Sequence, residues 1–413
     1  MVFIQKNVKL EWIYLFFLIY IIGLFIGSLI NPLGFSYHIN KQNQIYWLFC
    51  NSAVFLYFYI IRENKDFNIL ILKIFIFLIG IIAIKFLFDV YIEFFLEIYN
   101  RERVINFFYN IHSMSPNRLF LEQPVPRSSG LSRMTMLLFL FFYIQLFFLK
   151  KDKYRTIIYF IISSFLALTL FNLQNRVSVF FILILFFFTL FFKISDLSFK
   201  RKIIYALCIF LIPFLIHLNI QQVTLKIHKI VNAEQIEIRK KKEEIDKKNA
   251  DKGLKERIVK AEEIKKEQIK ETNAINRLKK QRILLKSSSG RKELWERTLK
   301  ISVINNFIGY GPQADRAILG ENVSSLYFYS LLCGGIISFI AIFVITIILF
   351  FKSIKMIFIN NIFKSQELFT CFSILFIGYL YLRTIVEISF GIFGIDMILF
   401  FLFFNILRNS KNY

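Results

Sequence analysis

The sequence predicts an all-α fold, a polytopic bundle of about ten transmembrane helices with both termini in the cytoplasm. Of the 413 residues, 56% are hydrophobic and 18% are aromatic. Apolar runs of about 16 to 22 residues recur along the chain, and each matches a hydrocarbon core of about 30 Å. Basic residues are concentrated in alternate short loops, which is typical of the cytoplasmic side of a helical membrane protein.

Ten stretches are predicted to span the membrane, namely 11–30, 45–61, 69–89, 134–150, 156–173, 177–193, 202–220, 325–351, 365–382 and 391–407. Because ten is an even number, the two termini face the same side. Basic turns such as 62–65, 150–155 and 352–364 assign that side to the cytoplasm. The loops on the other side are then 31–44, 90–133, 174–176, 221–324 and 383–390.

The predicted spans divide the chain into three parts. Residues 1–220 hold the first seven spans, residues 221–324 form a large charged loop on the outer side, and residues 325–413 hold the last three spans. The loop is rich in Lys, Glu and Ile, and loops of this length are translocated largely regardless of their charge. Without a sustained heptad, its composition predicts one or two solvated amphipathic helices. The loop either stays solvated or contacts anionic lipid head groups or anionic glycan.

Several arginines are predicted at the outer ends of spans, where the positive-inside rule does not require them. They are Arg127, Arg133, Arg176 and Arg383. Charges near membrane depth are costly, so each is a candidate functional residue, although a snorkelling side chain is the alternative for any one alone. Together they predict a pocket for an anion, because a guanidinium group matches phosphate oxygens bidentately. Arg383 could also pair with Glu387 at i+4 on one helix face.

The segment before the eighth predicted span has the most informative pattern in the chain. An amphipathic helix is predicted over 291–306, with Trp295 as its anchor at the membrane interface. Gly309 and Gly311 predict a tight turn whose backbone can approach a ligand closely. The arginines that the segment adds to this surface are Arg291, Arg297 and Arg316.

The sequence predicts no metal site, no cofactor and no nucleic-acid-binding module. The chain contains four Cys and four His, and neither set has the spacing of a metal or redox site. The Gly-x-Gly pair lacks the strand-turn-helix context of a dinucleotide site. The expected partners are therefore membrane lipids and a ligand that combines phosphate charge with a lipid tail.

Together these residues resemble the superfamily of O-antigen ligases and O-antigen polymerases, which are glycosyltransferases of the bacterial envelope. The likeness is greatest in the segment that holds Gly290, Arg291, Trp295, Gly309, Gly311 and Gly335-Ile336. Arg176 at the start of a span matches the arginine that follows a Thr/Ser-rich helix end in that family. Arg383 and Glu387 resemble its late Arg-x-x-x-Glu pattern.

The resemblance implies a metal-independent transfer of glycan from an undecaprenyl diphosphate carrier at the periplasmic face of the bacterial inner membrane. The acceptor is lipid A–core for a ligase and another carrier-linked repeat unit for a polymerase. Arginines would bind the diphosphate and offset the charge on the leaving group. The candidates are Arg127, Arg133, Arg176, Arg291, Arg316 and Arg383. A base would take the proton of the acceptor hydroxyl, normally with inversion at the anomeric carbon.

This chain departs from the family at the residue that would act as the base. Ligases often carry a His-Asn pair where this chain has Ser324-Ser325, and no His follows His228. The outward carboxylates that remain near the motif are Asp315, Glu321 and Glu387. Glu321 is the first candidate, because it lies just before a predicted span. The missing His favours a polymerase or another surface-glycan ligase over a strict lipid A–core ligase.

Two other functions stay open. A flippase or transporter for a lipid-linked oligosaccharide would also need outward arginines, but such proteins usually show polar residues along many spans and internal repeats. The stretches 134–149 and 337–351 are nearly free of ionisable groups. A non-catalytic membrane scaffold would leave the outer arginines unexplained.

Overall fold

A computed structural model describes residues 11–30, 41–99, 107–110, 128–148, 153–191, 199–250, 291–305, 307–359 and 367–410. Over these ranges the chain forms helices and no strand. Seven of the described helices are long and apolar enough to cross a membrane. The protein is therefore an all-α, multi-pass membrane protein, as the sequence predicts.

The α-helices, numbered α1 to α14 in chain order, are Glu11–Ile30, Lys41–Ile60, Lys65–Tyr99, Phe107–Asn110, Ser128–Phe148, Lys153–Asn172, Arg176–Phe191, Phe199–Ala206, Ile212–Ala250, Arg291–Asn305, Ala314–Leu319, Leu326–Ile354, Leu368–Val386 and Ile395–Arg408. A π-helical turn, Leu207–Leu211, joins α8 to α9. Another, Lys355–Ile359, extends α12. A 3-10 turn, Ser389–Gly391, lies between α13 and α14.

All ten predicted spans overlap described helices, but three of these helices are not among the seven that could cross a membrane. These three are α2, α7 and α14. Helices α7 and α14 are 16 and 14 residues long, which is less than the roughly 20 residues that a bilayer requires. Helix α2 opens with the polar run Lys-Gln-Asn-Gln. A total of ten spans therefore stays a prediction.

Internal contacts divide the chain into two compact units, which are 1–85 with 129–214 and 289–413, and 86–128 with 215–288. In the first unit, helices from both sides of the predicted periplasmic loop pack into one core. In the second unit, the ring of Phe94 packs against Phe107 and Phe108 at centroid distances of 5.4 and 4.7 Å. Both cores consist mainly of apolar and aromatic side chains.

Helix α9 is 39 residues long and continues from the predicted span to Ala250. The beginning of the Lys-rich loop is therefore helical, as its composition predicts. The remainder of that stretch, 251–290, lies outside the described residues.

Helices α1 and α12 approach each other closely, because glycines line their contact. A Cβ atom on Gly27 would lie 2.7 Å from the carbonyl oxygen of Cys333, and one on Gly23 would overlap Ser338. Ser338 also donates its hydroxyl to the carbonyl oxygen of Tyr20 at 2.9 Å. Small residues spaced four apart commonly allow membrane helices to pack backbone against backbone.

Helix α12 is interrupted at Gly335, where φ is 70° and ψ is −167°. The segment 307–311 supplies backbone partners for the interrupted turn. Three hydrogen bonds join the two, from Tyr310 N–H to Leu332 O at 3.0 Å, from Gly311 N–H to Cys333 O at 2.7 Å and from Ile336 N–H to Phe307 O at 2.9 Å. Non-helical backbone at membrane depth is tolerated where protein buries it and satisfies its polar groups.

Contacts between helix ends define two opposite ends of the first unit. At one end, the hydroxyl of Ser325 lies 3.4 Å from the carbonyl oxygen of Thr384. The same end carries Arg133 of α5 and Arg383 of α13, and we call it the arginine end. It collects the start of α5 and α12, the end of α13 and the start of α14.

At the opposite end, the side chains of Lys65 and Glu367 pair at 3.0 Å. Arg408, the last residue of α14, pairs with Glu63 at 2.7 Å and lies 3.8 Å from Glu11, the first residue of α1. Helix α1 thus begins where α14 ends. Helix ends that the sequence assigns to one side of the membrane therefore lie together, while the identity of each membrane face stays a prediction.

Candidate functional site

Three charged side chains meet at the arginine end. Arg383 lies in the last turn of α13, Asp396 in the first turn of α14 and Arg133 near the start of α5. Oδ1 of Asp396 is 3.1 Å from Nη1 of Arg133, and Oδ2 is 3.6 Å from Nη2 of Arg383. One carboxylate thus bridges two guanidinium groups.

Helix polarity favours this arrangement. A cation is stabilised near the C-terminus of a helix and an anion near the N-terminus, where α13 carries Arg383 and α14 carries Asp396. Arg383 also forms an ion pair with Glu387 at i+4, which confirms the pairing that the sequence suggests. Two arginines and two carboxylates balance in formal charge, which reduces the cost of holding charge away from water.

Hydroxyl groups extend the charged cluster toward α5 and α7. Nη1 of Arg383 donates to the hydroxyl of Tyr379 at 3.3 Å, and this hydroxyl is 3.0 Å from Oγ of Ser178. Oγ of Ser178 is in turn 2.6 Å from Oγ of Ser132. We call the connected set the Asp396 network, and its members are Ser132, Arg133, Ser178, Tyr379, Arg383, Glu387 and Asp396. The network fixes α5, α7, α13 and α14 against one another, because connected buried polar groups restrict each other's positions.

Two of the predicted phosphate-binding arginines, Arg133 and Arg383, therefore form ion pairs with the same carboxylate, that of Asp396. Arg176 is the first residue of α7, two positions before Ser178 of the network. Arg127 lies outside the described residues.

Trp295 attaches α10 to the segment before α12. Its indole Nε1 donates to the carbonyl oxygen of Val323 at 3.1 Å, and its ring stacks on Phe328 with 5.1 Å between centroids. The sequence predicts an interfacial anchor at this position, and the structure adds a specific contact with the protein. Arg291 begins α10 one turn earlier and is half-buried.

Two of the three candidate bases, Asp315 and Glu321, have different surroundings. Asp315 of α11 is fully buried, and its Oδ2 accepts the N–H of Val323 at 3.3 Å. Burial raises the pKa of Asp315 to about 6, because desolvation disfavours the charged carboxylate. Asp315 thus contacts the backbone of the segment before α12, and its role as a base stays a prediction. Glu321 is exposed.

Arg316 lies on the exposed surface of α11. Its Nε donates to Oδ1 of Asn322 at 2.8 Å, so this contact is local to the segment before α12. Arg316 is therefore not among the arginines that pair with Asp396 in the described part of the chain.

Gly309 and Gly311 form the predicted tight turn, with φ values of 87° and 85° that favour glycine. A Cβ atom on Gly309 would lie 2.7 Å from the carbonyl oxygen of Cys333, and one on Gly311 would lie 2.6 Å from Nε2 of Gln44. The close approach that the glycines permit is to α12 and α2. The turn is buried, and its close approach to a ligand stays a prediction.

Asp396 is the central residue that the sequence analysis missed. It lies inside the predicted span 391–407, and an ionisable residue within an apolar span is by itself a functional hypothesis. Tyr379 and Ser178 carried no such signal, because hydroxyl groups in spans are common and their contact joins positions 201 residues apart.

The arginine end has the chemistry of an anion-binding site. The side chain of Arg133 is 31% exposed, whereas that of Arg383 is 2% exposed. An accessible guanidinium group held by a buried carboxylate can donate to phosphate oxygens in a medium of low dielectric. Comparison of the chain with protein-family models, with curated proteins and with solved structures gives no match.

Proposed function

We propose that the protein is a membrane glycosyltransferase of the bacterial inner membrane, similar to O-antigen ligases and polymerases. It transfers glycan from an undecaprenyl diphosphate carrier to an acceptor hydroxyl at the periplasmic face. The observation that carries the proposal is the convergence of Arg133 and Arg383 on Asp396 at one end of the first unit. Arg176, which the family resemblance also selects, begins the neighbouring helix α7.

The proposed reaction is a substitution at the anomeric carbon of the carrier-linked sugar. The bond from this carbon to the diphosphate oxygen breaks, a bond to the acceptor oxygen forms, and the hydroxyl proton passes to a carboxylate base. Negative charge grows on the departing diphosphate, and guanidinium donors already in place offset that charge. The acceptor is lipid A–core for a ligase and another carrier-linked repeat unit for a polymerase.

Glu321 is the proposed base. It is exposed and lies shortly before Ser325, whose hydroxyl is 3.4 Å from the carbonyl oxygen of Thr384, the residue after Arg383. Glu387 is the alternative, because it forms an ion pair with Arg383. The side chain of Glu387 is 21% exposed.

A flippase for the same lipid-linked oligosaccharide is the second candidate. The interruption of α12 at Gly335 favours it, since broken helices are common at the binding sites of transporters. The backbone groups at this interruption are hydrogen-bonded to the segment 307–311, so the protein itself fills their hydrogen-bonding capacity. Transport of a fluorescent lipid-linked oligosaccharide by proteoliposomes, without glycan transfer, would select the flippase.

The glycosyltransferase is tested by replacing its arginines. Alanine at Arg133, Arg176, Arg291 or Arg383 is expected to abolish surface-glycan elongation or attachment while the protein still inserts. Lysine restores only part of the activity, because an ammonium group lacks the planar fork of a guanidinium group. Glycan profiles of a deletion strain that expresses each variant at the wild-type level provide the measurement. Wild-type profiles from all four alanine variants would rule out the proposed site.

The same deletion strain separates the two kinds of transferase. Single repeat units capped on lipid A–core indicate that a polymerase has been lost. Long chains that stay on the carrier indicate that a ligase has been lost.

A further inference from the structure

The two arginines that meet at Asp396 differ in their accessibility. The side chain of Arg133 is 31% exposed and that of Arg383 is 2% exposed. Arg383 is also enclosed by partners, because its guanidinium group pairs with Glu387 and donates to Tyr379 at 3.3 Å. A ligand that arrives at this end meets Arg133 first.

Asp396 connects the enclosed arginine to the accessible one. Its two oxygens face different guanidinium groups, at 3.1 Å from Arg133 and 3.6 Å from Arg383. Its side chain is 4% exposed, so the carboxylate itself offers little surface to a ligand. Asp396 therefore lies between Arg383, which is enclosed, and Arg133, which is accessible to a ligand.

We infer that Asp396 is a positioning residue, which is held by Arg383 and fixes the guanidinium group of Arg133 for contact with a lipid diphosphate. This assignment rests on the proposed function and refines it, because contact with the ligand falls to Arg133 and support falls to Arg383 and Asp396. An unrestrained arginine side chain loses rotamer freedom when it is fixed. An arginine that is already fixed in the free protein loses less of this freedom on binding.

Charge and position make opposite predictions for the variant Asp396→Asn. Removal of a negative charge beside Arg133 would strengthen the attraction for an anion if Asp396 acted through charge alone. Removal of the ion pair that orients Arg133 weakens binding if Asp396 acts through position. The sign of the change in affinity therefore separates the two roles.

The experiment measures binding of undecaprenyl diphosphate to the full-length protein in lipid nanodiscs. We expect Asp396→Asn to raise the dissociation constant by about tenfold, the low end of the range found when residues that orient metal ligands are removed. Asp396→Glu restores part of the affinity. Glu367→Gln, which removes the ion pair with Lys65 at the opposite end, leaves the affinity unchanged.

A double-mutant cycle tests whether Asp396 acts through Arg133. In an Arg133→Ala background, which itself binds more weakly, Asp396→Asn is expected to cause no further loss, because the side chain that it positions is gone. Thermal denaturation of each variant confirms that it is folded. If Asp396→Asn does not fold, Arg133→Ala alone still tests the assignment. Unchanged affinity of Arg133→Ala for undecaprenyl diphosphate would overturn it.

Other outcomes also overturn the inference. Tighter or unchanged binding by Asp396→Asn would show that position is not its role, and so would an undiminished loss in the Arg133→Ala background. Failure of the wild-type protein to bind undecaprenyl diphosphate would reject the proposed function itself. These results are distinguishable, because the wild-type measurement is made first.

Discussion

Asp315 is a carboxylic acid in surroundings that disfavour its charged form. Its side chain is fully buried, and the amide of Val323 is the hydrogen-bond donor at 3.3 Å from Oδ2. Burial raises its pKa from an ordinary value of 3.8 to about 6. Protonation of this single residue is therefore linked to the stability of the segment between the glycine turn and α12.

The linkage predicts a decrease of stability between about pH 4 and pH 6. In this window the unfolded carboxyl is ionised while the folded one is still protonated, so raising the pH favours unfolding by up to about 3 kcal/mol. Above about pH 6 the effect is constant. Asp315→Asn should lack this pH dependence and should be more stable than the wild type at pH 7.

Thermal denaturation of the purified protein across this pH range provides the measurement. Glu293→Gln is a matched control, because Glu293 is an exposed carboxylate in the same part of the chain. Identical pH profiles for the wild type and Asp315→Asn would contradict the prediction.

Glu321 and Glu387 can be separated as bases by amide substitutions. If Glu321 is the base, Glu321→Gln should lower turnover of purified carrier-linked sugar by about a hundredfold, within the range typical of general-base removal. Binding of the donor should change little, because the exposed side chain of Glu321 is not paired with Arg383. Near-normal turnover by Glu321→Gln, together with a large loss in Glu387→Gln, would transfer the role to Glu387.

At the scale of single elements, two glycines with similar backbones have different surroundings. Gly309 and Gly320 have φ values of 87° and 75°. A Cβ atom on Gly309 would meet backbone atoms of Cys333, whereas a Cβ atom on Gly320 would meet nothing within 4 Å. Only the first glycine is required by packing as well as by its dihedral angle.

Alanine substitutions at these glycines should therefore differ in cost. Gly320→Ala should destabilise the protein by about 1 kcal/mol, which is the cost of a left-handed residue with a side chain. Gly309→Ala should cost several times more, because the backbone of the interrupted helix must move. Melting temperatures in detergent measure both, and equal shifts would refute a packing role for the turn.

Local relationships along the chain were predictable and long-range ones were not. Hydropathy located the helices, because membrane insertion depends on the composition of each stretch. The pair Arg383–Glu387 was foreseeable, because positions i and i+4 are neighbours on any helix. The contacts of Asp396 with Arg133 and of the glycine turn with α12 depend on which helices pack together, and no single stretch specifies that.

At the scale of the whole molecule, the arginine end and the opposite end should lie on different sides of the membrane. Cysteine substitutions at Ala317, which is exposed on α11, and at Glu63, which is exposed before α3, mark the two ends. The background carries serine at Cys50 and Cys208, the two cysteines that are not buried.

A membrane-impermeant maleimide should label the Ala317→Cys variant in intact spheroplasts. The Glu63→Cys variant should react only after the membrane has been permeabilised. Reaction of both variants in intact spheroplasts would refute the assigned sidedness and the proposed periplasmic site.

The glycine-lined contact between α1 and α12 has a consequence for biosynthesis. The hydroxyl of Ser338 meets the carbonyl of Tyr20 across 318 residues of sequence. A ribosome therefore completes most of the polypeptide before α1 can form this contact with α12. Until then the small-residue face of α1 that holds Gly23 and Gly27 lacks α12 as a partner, so this contact belongs to a late stage of assembly.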